Sequence, residues 1–293
     1  MLLVTFADDA GTRIGVLEAE AGSLVDLARI DPELPREMVA LITLGTAGLA
    51  RVRGACVQPG GRIALSTVRL VAPIPRPPRN IFCVGKNYRD HVKEVQATLT
   101  APGDGIPQAP IIFTKATTAV IGPGVAIPSG LDPTASVDYE GELAVIIGPG
   151  GRGIAREAAM EHVYGYTLLN DVTSRRLQRH HQQWFVGKSL DGFCPMGPAI
   201  LTTDAVPEVG ALRLETRVNG ELRQDGRVAE LIFDIPTLIE TLSRGMTLEP
   251  GDVIATGTPA GVGMGFDPPR FLRPGDWVSI HVAEIGTLEN PVA

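Results

Sequence analysis

The acidic segment VDYEGELAVIIGPG, residues 137–150, contains the residue types that most clearly suggest chemistry. If it forms a strand, the side chains of Asp138, Glu140 and Glu142 alternate onto one face. Like charges on one face repel one another, so a solvated face is the simpler interpretation of a Glu-x-Glu pair. The same run continues into LAVIIG, however, which is typical of a buried strand and brings the carboxylates close to a core. A hard, oxygen-ligated cation would resolve that conflict.

A third carboxylate, Asp171, ends the strand-like run YGYTLLND and precedes a predicted helix that begins near Ser174. An Asp at this place is explained equally well as the N-cap of that helix. If Asp171 joins Glu140 and Glu142, three carboxylates leave coordination positions on Mg²⁺ or Mn²⁺ open for water or substrate. That is the arrangement that a catalytic metal requires.

The segment GKNYRDHVKEV, residues 85–95, contains a candidate base. In a helix, His91 and Glu94 lie three residues apart on one face, so the carboxylate can orient the imidazole and raise its basicity. Such a pair beside a metal site could activate water as a general base. Taken alone, the same spacing is more often an ordinary surface interaction.

Two further segments contain groups that could bind an anion. Lys188 follows Trp184 and Phe185, which can hold a lysine partly buried and directed at a substrate, although a lone lysine is usually solvated. The segment GDVIATGTPAGVGMG, residues 251–265, is a predicted strand that runs into a glycine-rich loop, whose backbone N–H groups can bind a carboxylate. It lacks the ending of a phosphate-binding loop and the context of a dinucleotide fingerprint.

These groups have to be positioned by a fold that is rich in turns. The chain has 293 residues, of which 34 are Gly and 24 are Pro, and most of its apolar runs are short. Strand-like runs dominate, whereas helices are predicted at residues 36–44, 87–96, 155–161, 174–181 and 235–244. The sequence therefore predicts an α+β fold that is predominantly β.

The proline-rich segment VAPIPRPPRN, residues 71–80, divides the chain into two parts. Successive prolines hold a chain extended, which is typical of a boundary. Residues 1–70 contain no cluster suited to chemistry and are predicted to form a small N-terminal α+β accessory domain; residues 71–293 are predicted to form the catalytic domain. The polar stretch at residues 97–109 is predicted to be a mobile lid beside the helix that carries His91.

Charge and cysteine content limit the expected partners and compartment. The chain has 26 Lys and Arg against 33 Asp and Glu, a net charge of −7, with no basic run, so neither nucleic acid nor membrane is an expected partner. Cys56, Cys83 and Cys194 lie far apart, which disfavours a disulfide framework or a zinc site and indicates a cytoplasmic protein. The first residues are interpreted as a strand, not as a signal peptide or a membrane span.

A set of segments, in order over residues 71–293, resembles the fumarylacetoacetate hydrolase superfamily. The segments are NIFCVGKNYRDHVKE, APIIFTKATTAVIGPG, VDYEGELAVIIG, GYTLLNDVTSRRLQ, QWFVGKSLDGFCPMGPAI, RVNGELRQ, DVIATGTPAGVG and FLRPGDWVSI. The likeness is to the bacterial two-domain branch of acylpyruvate hydrolases and 2-hydroxyhepta-2,4-diene-1,7-dioate isomerases. It implies a mixed β-sandwich roll, usually a homodimer, with a lid that closes on the substrate. One departure is Ala116, where many members have Pro, followed by Thr117 instead of Ser.

The same resemblance implies roles for the candidate residues. It implies that Glu140, Glu142 and Asp171 bind Mg²⁺ or Mn²⁺. It also implies that His91 and Glu94 form a catalytic dyad assisted by Lys188. The positions implied to contact the substrate are Lys86, Lys115, Gln178, Lys188 and Thr258.

Chemistry and resemblance together predict a metal-dependent hydrolase of a 3-acylpyruvate such as fumarylpyruvate or maleylpyruvate. His91 would activate water, the C–C bond would break, and pyruvate would leave as a metal-stabilised enolate together with a carboxylic acid. The same site could instead serve an isomerase, a keto–enol tautomerase or a decarboxylase of a 2-oxo diacid such as oxaloacetate. A noncatalytic binding protein is disfavoured because the ligands, the dyad and the lysine occur together. The expected partner is a small 2-oxo acid.

Overall fold

Short apolar runs bounded by glycine and proline form most of the secondary structure, as the sequence predicts. The structure, a computed structural model, describes residues 1–97 and 105–293. Its strands are β1 (Leu2–Asp8), β2 (Gly11–Glu18), β3 (Ser23–Asp26), β4 (Arg62–Ala64), β5 (Arg69–Val71), β6 (Ile81–Gly85), β7 (Ile111–Lys115), β8 (Val120–Ile121), β9 (Val137–Asp138), β10 (Gly141–Ile147), β11 (Val163–Asn170), β12 (Thr173–Ser174), β13 (Cys194–Thr202), β14 (Arg213–Val218), β15 (Glu221–Arg227), β16 (Val253–Ala255), β17 (Trp277–Val282) and β18 (Gly286–Pro291). Its α-helices are α1 (Leu27–Ile30), α2 (Met38–Thr43), α3 (Gly45–Cys56), α4 (Arg89–Ala97), α5 (Arg175–His180), α6 (Phe185–Lys188) and α7 (Ile235–Ser243). None of the described helices is long and apolar enough to cross a membrane.

Most predicted helices are present, with shifts of one or two residues at their ends. The helix predicted at residues 155–161 is a 3₁₀ helix, Arg156–His162. Helix α3 is absent from the predicted elements, because its glycines lower intrinsic helix propensity; burial of Leu49 and Val52 in the core stabilises it instead. Of the predicted lid at residues 97–109, residues 98–104 lie outside the described part of the chain.

Most strands of the described chain belong to one long sheet. Its order is β4-β3-β2-β1-β13-β11-β10-β16-β6-β7, with β5 beside β1 and β8 beside β13. Neighbouring strands run antiparallel along most of this path, while β16 pairs parallel with β6. Because β1 pairs with β13, with Leu2 opposite Leu201, the N-terminal strands continue the sheet that holds the later strands. The division into two domains at residue 70 stays a prediction.

A second sheet, ordered β15-β14-β17-β18, covers one face of the long sheet. Strand β14 packs on β10, β17 on β11 and β18 on β13. Leu143 of β10 and Leu168 of β11 share one buried apolar cluster with Leu214 of the second sheet. Helix α7 joins the same cluster through Leu238. Each such side chain stabilises the fold by roughly 1.5–3 kcal/mol relative to exposure. This packing holds β10 and β11, the strands whose ends carry the acidic residues.

Candidate active site

Three carboxylates meet where β10 begins and β11 ends. Gly141, the first residue of β10, lies opposite Asn170, the last residue of β11. This register brings together Glu140, Glu142 and Asp171, each of which offers one carboxylate oxygen within 4.8 Å of those of the other two. All three side chains are buried. These three residues, called the acidic triad below, are the ones that the sequence predicts as metal ligands.

Asp138, predicted on the same strand face, lies outside the triad. The strand is interrupted, since β9 ends at Asp138 and β10 begins at Gly141, so the alternation of one continuous strand does not reach it. Its carboxylate instead accepts hydrogen bonds from the backbone N–H of Gly263 at 2.7 Å and of Met264 at 3.0 Å. The Nε of Arg175 donates a further one at 2.8 Å.

Three buried cations neutralise part of the triad. The Nζ of Lys188 lies 2.5 Å from Glu140 Oε2 and 2.5 Å from Asp171 Oδ2. The Nζ of Lys115 donates to the other oxygen of Asp171, Oδ1, at 2.7 Å. The Nη1 of Arg175 lies 2.6 Å from Glu140 Oε1. Each oxygen of Glu140 and Asp171 therefore faces a positive group.

The pKa values follow from this unequal distribution of charge. Burial raises the pKa of Glu140, but Arg175 and Lys188 outweigh burial and hold that pKa well below its usual range. Burial, followed by the nearby charges of Asp171 and Glu140, raises the pKa of Glu142 well above its usual value. Burial lowers the pKa of Lys188, but Asp171 and Glu140 outweigh it and the pKa is raised. Glu142 is thus the carboxylate that lacks compensating charge.

The donor set of the triad fits a hard divalent cation. In the described structure Glu142 accepts one hydrogen bond, from the backbone N–H of Gly257 at 2.8 Å, and pairs with no cation. A buried, unpaired carboxylate is costly, whereas a cation at the triad would compensate it. Carboxylate oxygens are the ligands that Mg²⁺ and Mn²⁺ prefer. The residues that would hold such an ion are Glu140, Glu142 and Asp171.

The predicted dyad forms on helix α4. Glu94 Oε2 lies 3.2 Å from Nδ1 of His91, one turn away. The other oxygen, Oε1, accepts the backbone N–H of Gly261 at 2.9 Å. A carboxylate only accepts hydrogen bonds, so this contact assigns the proton to Nδ1 and leaves the lone pair on Nε2 of His91. The arrangement orients the imidazole as a base.

A cavity of about 330 Å³ brings most of the predicted site residues together. The predicted residues that line it are Lys86, His91, Glu140, Glu142, Gln178, Lys188 and Thr258. Asp171 and Glu94 are not among the residues that line the cavity. Asp171 contacts Lys188, which lines it, and Glu94 contacts His91, which also lines it. The wall also contains apolar side chains, among them Phe113 and Trp184, whose rings meet edge to face with centroids 5.1 Å apart. The cavity can therefore bind a small polar molecule against the triad.

Besides Lys188, two more of the predicted substrate contacts are engaged within the protein. Lys115 is fully buried and does not line the cavity; its Nζ donates to Asp171 and to the carbonyl of Val172 at 2.9 Å. The hydroxyl of Thr258 donates to the carbonyl of Gly141 at 2.9 Å and accepts from Gln224 Nε2 at 2.6 Å. Lys115 thus holds Asp171 in position. The hydroxyl hydrogen of Thr258 is already used in the hydrogen bond to Gly141.

Arg175 is a candidate site residue that the sequence analysis missed. It is 5% exposed and lines the cavity, and its Nη2 is buried with no hydrogen-bond partner in the described structure. A buried guanidinium N–H without a partner costs free energy unless an anion or water satisfies it. The available signal was the spacing in SRRLQ, because Arg175 and Gln178 lie three residues apart on α5 and both face the cavity.

Comparison with known proteins places the chain in a family. The family model described as fumarylacetoacetate (FAA) hydrolase, C-terminal, matches residues 80–293. The chain belongs to the fumarylacetoacetate hydrolase family. The matched range contains the acidic triad, the dyad and Arg175.

Three known proteins are similar to this chain in sequence, and the matches cover most of its length. Oxaloacetate tautomerase YisK of Bacillus subtilis (strain 168) is 54% identical over 229 residues, which cover 78% of this chain and 74% of that protein. The solved fumarylacetoacetate hydrolase from psychrophilic Exiguobacterium antarcticum is 45% identical, with a TM-score of 0.83 and coverage of 100% of this chain and 99% of that chain. The maleylpyruvate hydrolase of Sphingobium sp. SYK-6, solved with manganese(II) ion and pyruvate, is 34% identical, with a TM-score of 0.79 and coverage of 100% and 99%.

These likenesses confirm the predicted fold class and the predicted branch of the family. The chain is an enzyme of the fumarylacetoacetate hydrolase family. Its buried acidic triad and the Mn²⁺ in the hydrolase neighbour agree with a divalent metal. The relatives include both a tautomerase and a hydrolase, so hydrolysis, the main prediction from the sequence, is not confirmed.

Proposed function

We propose that this enzyme is a divalent-metal-dependent tautomerase of a 2-oxo diacid, which interconverts the keto and enol forms of oxaloacetate. The observation that carries the proposal is a single cavity that joins the acidic triad, the His91 imidazole and several cationic side chains. The 54% identity to an oxaloacetate tautomerase supports the same reaction. Mg²⁺ or Mn²⁺ is the proposed cation.

The charges that line the cavity favour a dianionic substrate. The cationic side chains in its wall are Lys86, Arg175, Arg179 and Lys188. Arg175 and Lys188 lie against the triad. They are the proposed contacts of one carboxylate and the 2-oxo group of the substrate. Lys86 has a φ of 55°, a left-handed conformation that is uncommon outside glycine and often found at functional sites. Lys86 and Arg179 are the proposed contacts of the distal carboxylate.

The reaction moves one proton between carbon and oxygen. A divalent cation held by Glu140, Glu142 and Asp171 would supply Lewis-acid stabilisation of the negative charge on the 2-oxo oxygen. In the keto-to-enol direction, Nε2 of His91 takes a proton from C3, and the electrons of that C–H bond form the C2=C3 bond. Glu94 stabilises the resulting imidazolium through Nδ1. The Nε2–H of the imidazolium then gives this proton to the oxygen at C2, which returns His91 to its neutral form. The apolar wall formed by Phe113 and Trp184 limits the access of water.

The conversion of Arg175 to lysine is expected to raise KM for oxaloacetate by about 10–100-fold, because one charge-assisted hydrogen bond contributes roughly 1.5–3 kcal/mol. Lysine keeps the positive charge beside Glu140 and Asp138 but loses the N–H that lacks a partner. Steady-state kinetics on Arg175→Lys and on the exposed control Arg152→Lys give the comparison. An unchanged KM in Arg175→Lys would exclude Arg175 as a substrate contact.

A keto–enol assay tests the proposed function directly. Oxaloacetate is delivered as the enol from an aprotic solvent to the metal-loaded enzyme, and the ultraviolet absorbance of the enol is followed. Malate dehydrogenase with NADH reports the appearance of the keto form. We expect enzyme-dependent acceleration that a chelator abolishes. Ketonisation at the buffer rate over a range of enzyme concentrations would overturn the proposal, and release of pyruvate, seen with lactate dehydrogenase, would identify a decarboxylase.

The second candidate is C–C hydrolysis of a 3-acylpyruvate, favoured by the His91–Glu94 pair and by the likeness to a maleylpyruvate hydrolase. In that reaction His91 would take the proton from water instead of from C3. Incubation with maleylpyruvate and fumarylpyruvate, with pyruvate counted by lactate dehydrogenase and the second product identified by mass spectrometry, separates the two reactions. Pyruvate with equimolar carboxylic acid would establish the hydrolase.

We also propose that the chain forms a homodimer, as the family resemblance implies. The chain mass is 31.0 kDa. Light scattering coupled to size-exclusion chromatography is expected to give about twice that mass. A particle of one chain mass at micromolar concentration would overturn this proposal.

A further inference from the structure

The glycine-rich loop after β16, residues 256–265, uses its backbone N–H groups to bind carboxylates of the protein itself. The N–H of Gly257 donates to Glu142, and that of Gly261 donates to Glu94. The N–H groups of Gly263 and Met264 both donate to Asp138. The sequence predicts that such N–H groups bind a carboxylate, and the structure shows that these carboxylates are side chains around the active site. We call this segment the amide loop.

The amide loop lies between the His91–Glu94 dyad and the group formed by Asp138, Arg175 and the triad, and it contacts both. On one side it contacts Glu94, which orients His91. On the other side it contacts Asp138, which accepts from Arg175, and the same guanidinium reaches Glu140 of the triad. Helix α4, which carries the dyad, also packs against the 3₁₀ turn Gly263–Gly265 of the loop. The position of Glu94 is therefore defined by its fit against this loop.

Gly265 is the residue of the loop at which an added side chain would meet Glu94. A Cβ atom built on Gly265 would overlap Oε1, Cδ and Cγ of Glu94, which are its three nearest atoms. The backbone at Gly261 is different, because its φ is 107° and a Cβ there would meet the carbonyl oxygen of Arg223. Gly265 is not among the residues with positive φ, so alanine is compatible with its backbone. A substitution at Gly265 thus acts on Glu94 and not on the path of the chain.

We propose that Gly265 is a positioning residue for the dyad: its missing side chain leaves the space in which the Glu94 carboxylate lies between the Gly261 N–H and Nδ1 of His91. A methyl group in that space displaces the flexible carboxylate and releases the imidazole. The inference rests on the proposed function in one respect, since it takes His91 as the group that moves the proton. The geometric part, the dependence of the His91–Glu94 hydrogen bond on Gly265, stands independently of the reaction.

A double-mutant cycle tests this role. Gly265→Ala is expected to lower kcat about 10–100-fold, as a displacement of about 1 Å in a catalytic group does, with KM and Mn²⁺ affinity unchanged. In the Glu94→Ala background, which removes the overlapping atoms, the same change is expected to cost nothing further. Gly245→Ala is the matched control, because nothing lies within 4 Å of a Cβ at Gly245. Equal losses in both backgrounds would overturn the proposal.

A measurement that does not depend on turnover separates this proposal from the proposed function. Nitrogen-15 spectra of histidine-labelled protein, with the His91 signals assigned by their loss in His91→Ala, report which ring nitrogen carries the proton. We expect the Nδ1–H form in the wild type and its loss in Gly265→Ala. Unchanged His91 signals in Gly265→Ala would overturn the positioning role. A wild type that turns over no 2-oxo acid, but shows the expected spectra, would overturn only the proposed function.

Folding of the variants provides a further check. If Gly265→Ala alone fails to fold, the double variant with Glu94→Ala is expected to recover the wild-type circular dichroism and Tm, because the overlap no longer exists. A double variant that also fails to fold would show that Gly265 serves packing alone, which contradicts the proposal.

Discussion

Replacement of His91 by alanine is expected to lower kcat by ~10²–10⁴-fold, the usual contribution of general acid–base catalysis, while divalent-metal binding survives. The reason is the separation of roles within one cavity. The hydrogen bonds and ion pairs of the triad carboxylates in the described structure come from Lys188, Lys115, Arg175 and the backbone N–H of Gly257, none of them from His91. Removal of the imidazole therefore removes the proposed proton acceptor and leaves the proposed metal ligands in place.

The control for this variant is His281→Ala, in which the lost histidine is exposed and contacts Thr287 on the neighbouring strand. The measurements are kcat in the enol assay, the dissociation constant of Mn²⁺ by calorimetry, and the Tm of each variant. Retention of more than about a tenth of the wild-type kcat in His91→Ala would contradict the assigned role, since it falls outside the expected range. Loss of Mn²⁺ binding would contradict the separation of roles.

Replacement of Glu142 by glutamine is expected to weaken divalent-metal binding by at least ~100-fold, the upper end of what the loss of a supporting residue outside the coordination sphere costs. Glu142 is the triad member without a cationic partner in the described structure, and its raised pKa has burial as its largest cause, followed by Asp171 and Glu140. A bound cation would compensate the charge of Glu142. Of the three carboxylates, Glu142 is therefore the one that the ion would stabilise most. Activity at limiting metal is expected to fall with the affinity.

Thermal unfolding gives a second readout of the same substitution. An ion that binds the folded state stabilises it by mass action. A Mn²⁺ concentration just sufficient to saturate the wild type is therefore expected to raise the Tm of the wild type clearly more than that of Glu142→Gln. The metal-free variant is expected to be at least as stable as the metal-free wild type, because a neutral amide replaces a buried, unpaired carboxyl group. Glu284→Gln, at an exposed position, is the control. Unchanged Mn²⁺ affinity in Glu142→Gln would show that the triad is not the metal site.

Sequence patterns predicted the local pairs of the site well. Glu140 and Glu142 lie two residues apart beside a buried strand, and His91 and Glu94 lie three apart on a helix, so each pair shares a face whatever packs around it. Asp138 shows the limit of that argument, because the break between β9 and β10 turns its carboxylate towards Arg175 and the amide loop. A two-residue alternation holds only while the strand is continuous.

In the fold as a whole, too, local patterns predict the elements, whereas packing decides which elements pair. Short apolar runs between glycines and prolines predict that strands predominate, and strands do predominate in the structure. Helix α3 is present despite its glycines, because Leu49 and Val52 are buried against the core. The pairing of β1 with β13 could not be predicted, since a strand's partner depends on the register of the whole sheet and not on its own residues.

The sequence by itself therefore determined the residue types of the site, their pairing at short range and the family to which the chain is similar. The tertiary structure alone decided which charges meet. Lys115 from β7 and Lys188 from α6 converge on Asp171, Arg175 lies between Asp138 and Glu140, and the amide loop reaches Glu94 across 167 positions of sequence. The physical reason is that spacing along a helix or strand sets which side chains share a face, whereas a buried charge is compensated by whatever groups the packed elements bring beside it.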